Sequence, residues 1–177
     1  MKKFLILVVV FFGLQSFAQK TVIVNNFSSL QVTILGLNTI GNNNAVYPSI
    51  RSVTPANIII PAGQSRTMSS PTGSLTQFPY NSTASAMAYT QWRRFTSATT
   101  STTSPNNSGT FTTLYGNGQK FNFVEIRVGT TDWKVGTGLN GSSVTTTSGI
   151  SGSTSYTVTY TENVIAPGNV QYIIQIN

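Results

Sequence analysis

SSLQVTILG, Ser28 to Gly36, sets Leu30, Val32 and Ile34 against Gln31 and Thr33. Successive side chains of an extended chain leave on opposite faces, so this order puts the aliphatic groups on one side and the polar ones on the other. The period recurs in YTVTYTE, where Tyr156, Val158 and Tyr160 oppose Thr157, Thr159 and Thr161. It recurs again in VQYIIQI, with Val170, Tyr172, Ile174 and Ile176 on one face. Such alternation marks antiparallel sheet with one buried and one wet face.

Other segments are apolar on both faces. KTVIVNN from Lys20, NIIIPAG from Asn57 and KFNFVEIRVG from Lys120 read as interior strands. Between the strands lie Pro61 with Gly63, Gly116-Asn117-Gly118, Asn140-Gly141 and Pro167-Gly168. Proline presets one backbone angle and glycine supplies the positive one, so these positions reverse the chain. Short strands between such turns predict an all-β fold, an antiparallel β-sandwich of jelly-roll or Ig-like type.

Two segments depart from this pattern. From Thr83 to Phe95, Ala84, Met87, Ala88, Trp92 and Phe95 fall at helical spacing behind Asn81 and Ser82, so one short helix near 83–95 is the alternative to a strand. From Thr96 to Gly109 the chain runs TSATTSTTSPNNSG, with no ring and no large aliphatic group, and is expected to be a flexible loop.

The first eighteen residues, MKKFLILVVVFFGLQSFA, have the layout of a cleaved secretory signal peptide: a basic start, an apolar run and small residues Ser16 and Ala18 before the cut. Export to the periplasm, cell surface or medium is expected, with no stable membrane span after cleavage. Residues 19–177 are then one β-sandwich domain. The formal charge of +7 falls to +5 without Lys2 and Lys3. The basic residues are scattered, apart from Arg93-Arg94, whereas nucleic-acid binders concentrate them into a stripe. A nucleic-acid partner is therefore not expected.

The 177 residues include no cysteine and no histidine, which removes the thiolate nucleophile, tetrahedral sulfur sites and the commonest general base. Of three carboxylates, Glu125 is placed for a surface ion pair with Arg127, Asp132 for a turn after Gly129, and Glu162 for the end of the Tyr156 strand. A glycosidase needs two facing each other across a cleft. The chain accordingly reads as a non-enzyme with no cofactor and no metal, since calcium wants clustered acids.

What remains is binding. In TTDWKVGTGLNG, Trp133 lies between Asp132 and Lys134, where an exposed indole would stack on a sugar or a protein; a core position is the competing assignment. Tyr115, Trp92 and Arg94 complete the candidate contact set. Arg93 and Arg94 in QWRRF point to opposite faces if the segment is a strand and so do not converge on one ligand. The expected role is a non-catalytic binding module for an extracellular glycan or surface protein. The alternative is a structural subunit of a surface filament, layer or envelope complex, an oligomer joined through sheet edges.

Overall fold

The computed structural model describes residues 20–41, 43–69, 89–105, 119–138, 143–166 and 169–177. Every regular element among them is a strand. One sheet holds β1 (Lys20–Asn26), β5 (Ser65–Ser69), β10 (Thr146–Ser151), β11 (Thr154–Ala166) and β12 (Asn169–Ile176), in the order β10-β11-β12-β1-β5. The other holds β2 (Val32–Gly41), β3 (Ser49–Thr54), β4 (Ile58–Ile60), β6 (Gln91–Phe95), β7 (Ser101–Pro105), β8 (Gln119–Val128) and β9 (Thr131–Gly136). Its order is β7-β6-β3-β2-β8-β9, with β4 beside the start of β2 and β3 beside its end.

The two sheets pack face to face as a β-sandwich, and the rows picked out by period two form its interior. Val32 and Ile34 of β2, Tyr156 and Val158 of β11, and Tyr172, Ile174 and Ile176 of β12 are all buried in one core. Leu30, Tyr160 and Val170 pack against it. Phe121 of β8 stacks on rings of the opposite sheet, with centroids 5.5 Å from Tyr160 and 5.1 Å from Tyr172. Burying an aromatic or aliphatic side chain contributes about 1.5–3 kcal/mol, so these rows carry most of the driving force for sheet packing.

Several expectations are corrected. Gln91–Phe95 is strand, antiparallel to β3 and β7, and residues 83–88 of the alternative helix lie outside the described residues. Ser101–Pro105, expected within a flexible loop, is the edge strand β7; backbone pairing to β6 orders it without any apolar side chain, while 106–109 lie outside the described residues. β1 and β12 run parallel, the one departure from an antiparallel sandwich among the named strand pairs. Ile58–Ile60 pairs only with β2 among the described strands and Ile59 is 51% exposed, so the segment is an edge and not an interior strand; Pro61, which has no N–H, follows its end. Asp132 lies within β9, and β11 runs past Glu162 to Ala166.

The interior also sets a pH response. Burial pushes the Tyr89 hydroxyl up to about 12, with the Ser52 hydroxyl partly offsetting it. Burial, and then the charge of Glu162, raises Tyr160 and Tyr172 further. A phenol whose folded pKa lies above its unfolded value near 10 stabilises the fold fully below that value and stops doing so as pH rises through the folded pKa. Lys20 acts oppositely: burial, and secondarily Lys120, lowers its pKa, so the fold gains stability as pH rises toward 10.5. The urea midpoint is therefore expected to climb into mildly alkaline solution and fall above about pH 10. Phenolate absorbance should show Tyr89, Tyr160 and Tyr172 ionising only with unfolding; ionisation of these three near pH 10 in the folded chain would contradict their burial.

Candidate functional site

The structure does not bring the sequence-predicted contact residues together. In β6 the alternation turns Trp92 inward, where it is 1% exposed in the core, and turns Arg93 and Phe95 outward. Trp92 is thus corrected from contact residue to core residue. Arg94 shares the inward side, opposite Ile50, and is half-buried. Arg93 donates from Nε to Thr103 Oγ1 at 3.2 Å, so the two guanidinium groups serve different faces.

Trp133 also faces inward. Its register partner is the core residue Ile126, it packs against the core, and its indole Nε1 donates to the Tyr156 hydroxyl of the opposite sheet at 3.1 Å. Gly149 makes room for that hydroxyl: a Cβ at this position would collide with the Tyr156 oxygen. The indole N–H is engaged in joining the sheets, so of the two assignments open for Trp133 the structure takes the core position and not the exposed platform. Tyr115 lies outside the described residues. The described three sit on β6 and β9, separated by three strands.

The outer face of the seven-stranded sheet carries a different site. A groove of about 650 Å³ crosses it from β6 to β9, passing over Phe95, Arg51, Asn38, Phe123 and Lys134 in strand order. Four interstrand spacings make it about 19 Å long. Its remaining wall includes Tyr47, which is 37% exposed. β-Bulges explain how these groups come to share a face. The register shifts between Asn38 and Thr39, with Asn122 as the extra residue on β8; Phe121 therefore points into the core while Asn122 and Phe123 point out. Asn122 Nδ2 donates to Asn38 Oδ1 at 2.9 Å, which leaves the Asn38 amide nitrogen as a donor on the groove floor.

Charge is unevenly placed along this face. Arg51 reaches across β2 to form an ion pair with Glu125 of β8, passing over Gly36, which puts no side chain in its path. Arg127 holds Asp132 with two hydrogen bonds of 2.7 and 2.9 Å. This contact depresses the Asp132 carboxyl below the usual range and raises Arg127. The expected Glu125–Arg127 pair is thus replaced by two pairs with other partners. Glu162 is in the opposite sheet, accepting from the Tyr160 hydroxyl at 3.2 Å. No carboxylate lines the groove, whereas Arg51 and Lys134 do. Lys134 Nζ lies 5.5 Å from the Phe123 ring centroid.

A second hollow of about 700 Å³, at the edge of the smaller sheet beside Ser148, Ile150 and Asn177, is lined by no charged side chain. Among the described residues no three of His, Cys, Asp and Glu are grouped to hold a metal ion, and no helix is long and apolar enough to cross a membrane. Four Asn-x-Ser/Thr sequons, the acceptor pattern for N-glycosylation, begin at Asn26, Asn81, Asn106 and Asn140; Asn26 is fully buried in the folded chain, and the other three lie outside the described residues.

The groove residues Tyr47, Phe95, Asn38, Asn122, Phe123 and Arg51 were not among the sequence candidates. The signal for them was slight: a second aromatic residue, Phe123, on a strand whose inner face was already filled. No family model, curated protein or solved structure matches the chain, so the groove is interpreted from its own chemistry.

Proposed function

We propose that the protein is a non-catalytic binding module, exported to the cell surface, that recognises a glycan in the groove across its larger sheet. The observation that carries this reading is the joint placement of Tyr47 and Phe95 rings, the Asn38–Asn122 amide pair and two cations along one 650 Å³ concavity. Sugar rings have apolar C–H faces and hydroxyl rims, so they are matched by aromatic planes beside oriented polar groups. A protein partner needs about 800 Å² of surface, usually broad; a narrow trough about 19 Å long suits a short run of sugars better. Export rests on the N-terminal sequence pattern.

The groove also stands on rigid ground. Asn38, Arg51, Phe95, Phe123 and Lys134 sit on paired strands whose inner faces are core, with Tyr47 added from the β2–β3 connection, so little ordering cost is expected for the strand-borne floor on binding. Tyr47→Ala and Phe95→Ala, both at the surface, should leave the unfolding midpoint nearly unchanged and weaken binding to oligosaccharides by at least about ten-fold each, as calorimetry or affinity electrophoresis would record. Folded variants that bind as the parent does would remove the groove from consideration.

A structural-subunit role has one observation in its favour. Among the described residues β10 is an open edge strand, TTSGIS, without a charge or proline to discourage pairing, and Ile150 on it is 72% exposed. Concentration-dependent sedimentation abolished by Ile150→Lys would support that role.

A further inference from the structure

Resting on the groove as the glycan site, we infer that it selects acidic sugars, with Lys134 as the residue that receives the ligand's anionic group. Lys134 and Glu125 are directly opposed on β9 and β8, the arrangement in which a cross-strand ion pair ordinarily forms. It does not form, because Arg51 takes the Glu125 carboxylate from the other side of β2.

The other two acids are engaged elsewhere, Asp132 by Arg127 and Glu162 by the Tyr160 hydroxyl. Lys134 therefore stands over the Phe123 ring at the groove wall with no carboxylate among the described residues in contact with it. The ring's negative face holds the ammonium in position without neutralising it. A fixed cation in an acid-free groove discriminates by charge: an anionic substituent gains a charge-assisted hydrogen bond that a hydroxyl does not.

The ammonium is a point charge with rotatable donors, unlike the planar guanidinium fork, so it does not distinguish carboxylate from sulfate by shape. The shared chemistry is an anionic group on a sugar ring, seated at Lys134 while neighbouring rings lie along Tyr47 and Phe95. Arg51, with its charge directed at Glu125, contributes position and not selectivity.

Three probes test this with the full chain: oligogalacturonate, dextran sulfate and neutral dextran of matched length. At least one acidic probe is expected to bind about ten-fold or more tightly than dextran, with an affinity that falls as salt rises. Which of the two does so identifies carboxylate or sulfate as the natural group. Lys134→Gln should bring the acidic probe down to the dextran level. Arg66→Gln removes the same charge from the smaller sheet and should change nothing.

Equal loss in both variants would reduce the effect to general basic charge and overturn the proposal. Dextran binding as tightly as the acidic probes, yet still lost in Tyr47→Ala, would overturn it while leaving the glycan groove standing. Absence of all binding, with Tyr47→Ala indifferent, would remove both.

Discussion

Replacing Trp92 with alanine is expected to lower the unfolding free energy by about 3–5 kcal/mol, toward the upper end of that range. The indole is 1% exposed, and its ring meets Tyr89 edge-on with centroids 5.2 Å apart at 63°. The cost of a truncated core residue depends on how far its neighbours collapse into the void. Here the cross-strand neighbours on both sides are serines, Ser52 of β3 and Ser104 of β7, too short to fill an indole-sized space. Against a typical total of 5–15 kcal/mol, the loss would leave a marginal fold. Trp92→Phe should recover much of it and retain glycan binding, which separates a core role from a contact role. Urea titration would measure both variants, with Trp133, the other of two tryptophans, as the fluorescent reporter. A loss below about 1 kcal/mol in the alanine variant would place the ring at the surface.

QWRRF shows why part of the fold was legible and part was not. Trp92 and Phe95 are three apart, which suits a helix, while Trp92 inward and Arg93 outward suits a strand; five residues satisfy both periods. The strand prevails because β3 and β7 offer backbone partners on either side, and β3 comes from a segment some forty residues earlier. Where alternation runs longer, as from Leu30 to Ile34 or Val170 to Ile176, the inner face was legible because burial of that row overrides other preferences. β7 was illegible for the opposite reason. STTSP has no apolar row at all, and only its ladder to β6 makes it a strand.

The groove was harder still, because its floor comes from five strands that share a face only after two register shifts in the β2–β8 ladder, and Tyr47 is added from the β2–β3 connection. A bulge reverses the inside-outside order of everything beyond it, and nothing in LNTIG or KFNF announces where that happens. The carboxylates illustrate the same limit. Local spacing pairs Glu125 with Arg127, whereas the sheet brings Arg51 to Glu125 across an intervening strand. That exchange is what leaves Lys134 facing the groove unneutralised.

Asn26→Ala is expected to cost about 2–4 kcal/mol, and Asn26→Asp more than that at neutral pH. Asn26 ends β1 and is fully buried. Its Nδ2 donates to the carbonyls of Leu30 at 2.7 Å, Ile60 at 3.1 Å and Pro61 at 3.2 Å, two protons shared among three acceptors. Its Oδ1 accepts from Ser28 Oγ at 2.7 Å, and Ser28 Oγ in turn accepts from the Leu30 backbone. One amide thus fastens the β1–β2 connection to the end of β4, joining the two sheets at the point where the chain passes between them. Alanine takes this donor from all three carbonyls; the buried Ile60 carbonyl is where the loss weighs most, while the exposed Pro61 carbonyl keeps the Gln64 N–H. Aspartate keeps the acceptor for Ser28 but sets a negative oxygen against the same carbonyls, so its folded pKa must rise above the ordinary carboxyl value. A raised folded pKa means that the aspartate variant is least stable well above that value and regains stability as pH falls through it, when a protonated carboxyl can donate again. The parent, with an amide that does not titrate, should show no such gain at this position. Urea midpoints of parent, alanine and aspartate variants at pH 4 and pH 7 would decide it. A pH-independent gap between the alanine and aspartate variants would mean that the three carbonyls are not where the Asn26 amide points.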